Sequence, residues 1–168
     1  LEGTSSMVFD RVNKIIYSGL SPRTDPNLLT KWCEDHSYEL VRVETESHKG
    51  APIYHTDVFM FIGTGVIGIC YEVIKAEYRE VIKEKVNRYH EVMEISKEQI
   101  LDFCGNALEA KDRDGNLYLI MSSRAHGALE KNQLSMLNNF YTKIIHSDLP
   151  TIEKYGGGSA RCMLSELF

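Results

Sequence analysis

Seven residues near the end of the chain, Gly156-Gly157-Gly158-Ser159-Ala160-Arg161-Cys162, have the composition of a loop that offers a thiol to a small ligand. Glycines let backbone pass where side chains do not fit, and a cysteine set behind them can act as a thiolate nucleophile. His55 and Asp57, in His55-Thr56-Asp57, share one face if the segment is a strand. Next to a cysteine they would supply a proton carrier and a holder for a cation. Glu2 ahead of the first hairpin, Asn106 after Gly105, and Arg23 in Leu20-Ser21-Pro22-Arg23-Thr24-Asp25 are further polar groups at strand ends and turns. Each also has a plain reading. A lone cysteine after a turn is commonly packing, H-x-D commonly opens an exposed strand, and Arg23 fits ordinary surface charge. Glu2 fits a disordered end, and Asn106 fits a turn closure.

Positioning such residues requires a regular scaffold, and the chain carries one pattern three times: strand, tight turn, strand, amphipathic helix, strand. The first copy predicts strands over Ser6–Asp10 and Lys14–Gly19, a helix over Asp25–His36 and a strand over Glu39–Val43. Asp25-Pro26 reads as an N-cap followed by the first helical residue. The second predicts strands over His55–Ile62 and Val66–Cys70, joined at Gly63-Thr64-Gly65, a helix over Lys75–Tyr89 and a strand over Val92–Ile95. The third predicts strands over Ala107–Lys111 and Leu117–Met121, a helix over Leu129–Phe140 and a strand over Lys143–His146. The modules therefore fall at about residues 1–50, 51–104 and 105–150, with a final strand in 160–168, Arg161 to Leu167. That strand has no partner within a module, and the chain opens with Leu1-Glu2-Gly3-Thr4 directly before a strand. Both features read as part of something longer.

Composition narrows the function classes. With 43% hydrophobic and 26% charged residues in 168, the chain buries one ordinary core and is expected to be soluble and globular. A net charge of -5 argues against a nucleic-acid partner, which requires a basic face. The longest apolar stretch, Val58 to Tyr71, is broken by glycines and a threonine, so no membrane span is expected. Cys33, Cys70, Cys104 and Cys162 stand far apart with no C-x-x-C spacing, which argues for a reducing, cytoplasmic setting and against a structural zinc site.

The order and spacing of Leu1-Glu2-Gly3-Thr4-Ser5-Ser6, Leu20-Ser21-Pro22-Arg23-Thr24, His55-Thr56-Asp57-Val58, Gly105-Asn106 and Gly156-Gly157-Gly158-Ser159-Ala160-Arg161-Cys162-Met163 resemble the guanidine-modifying enzyme superfamily. That group includes arginine deiminases, dimethylarginine dimethylaminohydrolases and amidinotransferases, and the resemblance is nearest to arginine-deiminase-related hydrolases of the citrulline-utilisation type. It implies an α/β propeller of the pentein kind, of which this chain would hold about three of five strand-strand-helix-strand modules and the C-terminal portion. It implies Cys162 as nucleophile, His55 as general acid and base, and Glu2 as the carboxylate that orients the histidine. Asp57 would grip the guanidinium through a bidentate pair, Arg23 would bind the carboxylate of an amino-acid substrate, and Asn106 would line the substrate site. The family also implies a further acidic residue from an earlier module, for which this sequence has no counterpart.

The function so implied is cysteine-dependent hydrolysis of a guanidino or ureido C–N bond in an arginine-like small molecule, with no metal or organic cofactor. Amidino transfer differs only in the acceptor of the second step. A non-catalytic binding module or an inactive fragment of the same fold is the alternative class. Three modules leave strand edges open and prone to association, so an N-terminal segment or a second chain is expected to complete the ring, and a homo-oligomer is the further partner expected.

Overall fold

The computed structural model describes residues 1–165. It contains three three-stranded sheets, each built by one sequence module, and the sheets stay separate among the described residues. In the first module β1 (Val8–Asp10) runs antiparallel to β2 (Ile15–Leu20). Asp10 closes their turn by accepting hydrogen bonds from the Asn13 amide at 2.9 Å and from Asn13 Nδ2 at 2.8 Å. Helix α1 (Pro26–Asp35) then crosses over to β3 (Glu39–Glu44), which lies parallel to β2. Its start is fixed as the sequence predicts: Asp25 accepts from the Leu28 amide at 2.8 Å, and Pro26 occupies the first turn.

The second module repeats the plan with β4 (Met60–Ile62), β5 (Val66–Ile69), α2 (Ala76–Tyr89) and β6 (Glu91–Glu94). The third has β7 (Leu108–Lys111), β8 (Leu117–Ser122), α3 (Ser123–Ala128), α4 (Lys131–Phe140) and β9 (Lys143–Ser147). In each sheet the middle strand pairs antiparallel on one side and parallel on the other. The middle strands are correspondingly apolar; all four residues of β5 are buried. β1 lies against β4 and β4 against β7, so the first strands of successive modules adjoin. One large apolar cluster runs through all three modules, and a smaller one, Met7, Ile16, Leu29 and Cys33, seats α1 on its sheet.

Three elements differ from the sequence expectation, each for a local reason. His55 is extended, but Thr56–Val58 forms one turn of 3₁₀-helix and the strand begins only at Met60. The Thr56 hydroxyl causes this by turning inward, where it donates to the Ser6 carbonyl at 2.7 Å and accepts from the Gly19 amide at 2.9 Å. The helix expected over Leu129–Phe140 is split into α3 and α4, with Leu129 extended between them. Ser122 caps α3, while Glu130 and Gln133 form a capping box that starts α4. Finally, the segment expected as a strand from Arg161 is a 3₁₀ turn over Arg161–Met163, leading to extended backbone at Leu164. The Met163 and Leu164 amides bond back to Ala160 and Arg161, which closes the turn instead of a ladder. The remainder of that expected strand, residues 166–168, lies outside the described residues. No helix among the described residues is long and apolar enough to cross a membrane.

Candidate active site

The inward-turned Thr56 hydroxyl fastens the start of the second module to the end of β2, so the residues flanking it are held at the junction of two modules. His55 and Asp57 emerge on either side of Thr56 into a cleft of about 470 Å³. The same cleft is lined by Arg23, Asn106, Cys162 and the glycines 156–158, with Tyr54, Val58, Ile100 and Phe103 as its apolar wall. Residues from all three modules and from the last loop thus meet in one place.

Cys162 sits on the 3₁₀ turn behind the glycine run. Gly157 has φ +70°, the left-handed region, and Gly158 passes so close to the thiol that a Cβ there would stand 2.9 Å from both Cβ and Sγ of Cys162. Ser159, fully buried, donates to Glu153 Oε1 at 2.7 Å and pins the loop, and the Tyr54 hydroxyl donates to the Gly157 carbonyl at 2.8 Å. Among the four cysteines Cys162 alone is exposed. Burial pushes the Cys70 thiol up to about 11 and that of Cys104 up to about 12, so both remain thiols across the ordinary pH range.

Asn106 makes the shortest polar contact with the sulfur. Its Nδ2 donates to Cys162 Sγ at 3.2 Å and to the Asp57 carbonyl at 3.3 Å. It reaches there because Gly105 has no side chain: a Cβ would lie 2.4 Å from the Val58 carbonyl oxygen. Asp57 is fully buried, with Oδ2 3.9 Å from the Cys162 sulfur. Burial holds its carboxyl above the usual range, opposed by the positive charge of Arg161.

Glu2 accepts a short hydrogen bond from His55 Nε2. Arg23 donates to the same carboxylate through Nη1, at 2.8 Å to Oε1 and 3.1 Å to Oε2. These bonds, His55 first, hold the Glu2 carboxyl below its ordinary range. All six residues singled out in the sequence, Glu2, Arg23, His55, Asp57, Asn106 and Cys162, are therefore in or directly joined to one cleft, with Arg23 engaged on Glu2. A histidine bonded to a carboxylate, an exposed thiol and a buried carboxylate thus share one cleft, an arrangement that can hold a cation near a nucleophile. Two residues carried no assigned role in the sequence reading. Tyr54 stacks obliquely on His55, and Arg161 turns its side chain inward toward Asp57 at 3.9 Å. Their adjacency to His55 and Cys162 was the available signal. A larger concavity, about 540 Å³, lies between β6 and α4 and is lined by Glu72, Glu91, Glu94 and Glu130, with no thiol or histidine.

Fold and site together define the chain as an α/β protein of three repeated modules, with a thiol, a histidine and carboxylates gathered at one cleft between them. The sequence matches the family described as N,N dimethylarginine dimethylhydrolase, eukaryotic, over residues 1–168, and the chain belongs to that family. No curated protein matches it. Among solved structures it is similar to the N-terminal domain of ArgZ, an arginine dihydrolase from the ornithine-ammonia cycle in cyanobacteria, with 18% identity and TM-score 0.76 over 97% of this chain and 55% of that one. A variant of AgrE in complex with L-arginine gives TM-score 0.76 at 14% identity, over 97% of this chain and 22% of that one. SxtG, an amidinotransferase from Microseira wollei, gives TM-score 0.60 at 15% identity, over 94% of this chain and 44% of that one. The chain thus spans about half the length of the ArgZ domain.

Proposed function

We propose that the chain is a hydrolase of the guanidino C–N bond of arginine or a methylated arginine, working through a covalent intermediate on Cys162. The observation that carries this reading is the convergence, across sequence separations of more than fifty residues, of Asn106 and Asp57 on the Cys162 sulfur and of Glu2 on His55. A guanidinium is resonance-stabilised and resists water, so its hydrolysis needs a strong nucleophile in fixed geometry. Asp57 receives the guanidinium, two carboxylate oxygens facing two N–H groups. The Cys162 thiolate adds to the central carbon and forms a C–S bond. His55, in its protonated form, gives a proton to the departing nitrogen, and the C–N bond breaks to release ammonia or an alkylamine. Water then gives a proton to His55 and adds its oxygen to the same carbon. The C–S bond breaks with its electrons returning to sulfur, the remaining hydroxyl proton passes to solvent, and a ureido product leaves. Glu2 keeps His55 oriented and supports its charge through both steps. The N–H groups of Arg23 not engaged by Glu2 meet the carboxylate of the amino-acid ligand.

Family membership supports hydrolysis, and ArgZ covalently bonded to a reaction intermediate is consistent with a covalent route in a protein of the same fold. We read the three modules as part of a larger ring, completed by an N-terminal segment or another chain; the 55% coverage of the ArgZ domain supports this. The test is release of ammonia or alkylamine together with ureido product from arginine, methylarginines, agmatine and citrulline, comparing the chain with Cys162→Ala. Stoichiometric products from a guanidino amino acid, lost on Cys162→Ala, are expected. Equal turnover by both proteins, or none by either, would overturn the proposal, and transfer of the amidino group to an added amine would redirect it.

A further inference from the structure

Arg161 is an arginine in a place where arginines are rarely found: its side chain is 8% exposed, and the Asp57 side chain it faces is 0% exposed. A guanidinium out of water is costly unless its charge is met. Nη2 donates to the Thr4 carbonyl at 3.1 Å, which anchors the arginine to the segment that carries Glu2. Nη1 stands 3.9 Å from Asp57 Oδ2, beyond hydrogen-bond length, so the two share charge without a hydrogen bond. Asp57 Oδ1 is buried with no hydrogen-bond partner at all. A carboxylate with one oxygen idle is an open acceptor, and an uncompensated carboxylate at this depth would take up a proton.

We propose that Arg161 is a positioning residue that keeps Asp57 as a carboxylate in the empty site while leaving its lone pairs open to an incoming cation. Its reach is set by the Thr4 anchor: close enough for charge, too far to occupy the oxygens. The other groups around Asp57 divide by sign. His55 adds a positive influence when protonated, and Cys162 adds a negative one when ionised, while Ser5 and Asn106 contribute only neutral hydrogen-bonding groups. Tyr54 stays a neutral phenol, since burial, together with Cys162 and Asp57, raises its hydroxyl. Arg161 is therefore the one permanent cation facing Asp57 among the described residues. The inference rests on Asp57 being the guanidinium holder.

The experiment titrates the Asp57 carboxyl in the unliganded chain by ¹³C NMR, assigned by its loss in Asp57→Asn, and repeats it in Arg161→Lys and Arg161→Gln. Loss of an opposite charge at this distance is expected to raise the midpoint by at least about one unit in Arg161→Gln, with Arg161→Lys close to the parent. An unmoved midpoint in Arg161→Gln overturns the proposal. If Arg161→Gln does not fold, Arg161→Gln combined with Asp57→Asn decides. Recovery of the fold in the double variant is expected, and a double variant equally unfolded overturns it. Arginine binding to Cys162→Ser, measured by calorimetry, reports separately on the guanidino reading, because the titration requires no ligand. A midpoint that follows Arg161 in a protein that binds no guanidino compound upholds the charge assignment and removes the function.

Discussion

Replacing Gly158 by alanine is the sharpest perturbation of the loop that carries Cys162. The new methyl carbon would stand 2.9 Å from both Cβ and Sγ of Cys162, inside the distance that real Cβ contacts keep. The cysteine side chain has one rotatable bond, and its sulfur is already held by Asn106 at 3.2 Å, so relief comes from moving the thiol or the loop. Overpacking of this size costs about 1–3 kcal/mol. A sulfur displaced by about 1 Å from its working position lowers the rate about 10²-fold. Gly156→Ala is the matched control: its Cβ would meet nothing closer than Ile152 Cγ2 at 3.6 Å, an ordinary contact, and Gly156 has no positive φ. The assay is kcat for a guanidino substrate together with the iodoacetamide alkylation rate of Cys162 and a melting curve. Gly158→Ala is expected to lose turnover far beyond its loss of stability, with Gly156→Ala near the parent. Equal activities in the two variants would refute the geometry argued for the loop.

Iodoacetamide should modify Cys162 first, slowed by arginine-like ligands, with Cys33, Cys70 and Cys104 labelled only on unfolding; mass mapping of alkylated peptides reads this, and early labelling of Cys104 would contradict it. Glu2→Gln should lower kcat/KM about 10²-fold while the melting temperature barely moves, because the exposed carboxylate's contribution is to hold His55. Leu29→Ala, on the buried face of α1, should cost about 2–5 kcal/mol in urea unfolding. His90, buried beside Asp10 at 3.3 Å, has its imidazole held below the ordinary histidine range by burial, an effect that Asp10 opposes. The unfolded chain then binds the extra proton first, so stability contributed by neutral His90 is full above the ordinary histidine value and declines as pH falls below it. His90→Gln should flatten that slope in denaturation curves taken through mildly acidic pH.

The modules were legible because each strand and helix carries its own local signal. Asp25-Pro26 fixed one helix start, and the Gly63-Thr64-Gly65 turn appears between β4 and β5 where expected. The six candidate residues were picked out through the order of short motifs, each weak by itself, and the structure brings them together in or beside one cleft. What could not be read was tertiary in origin. Nothing local in His55-Thr56-Asp57 announces that Thr56 bonds to Gly19, thirty-seven positions away, and so converts a strand into a turn. The engagement of Arg23 on Glu2 and the inward course of Arg161 depend in the same way on partners supplied by distant segments. The split between α3 and α4 had local signals in Ser122 and the Glu130–Gln133 box, which a single amphipathic run concealed.

Thr56 also explains why a site assembled from three modules can hold fixed geometry at all. Its hydroxyl and that of Ser18 both donate to the Ser6 carbonyl, at 2.7 and 2.9 Å, so one acceptor joins the second module to β2 and to the segment carrying Glu2. The Ser6 hydroxyl in turn accepts from the Glu2 amide at 3.1 Å and donates to the Arg23 carbonyl at 3.2 Å. These buried or half-buried bonds place the backbones of Glu2, Arg23 and the His55–Asp57 turn in one network, before any ionised side chain is considered. Buried networks of this kind are costly to leave half satisfied, so they tolerate one arrangement and resist others. The exposed ion pair between Arg23 and Glu2 then has little stability to supply and can be rearranged at small cost. Rigidity in this site comes from neutral hydroxyls behind it, and responsiveness from the charges in front.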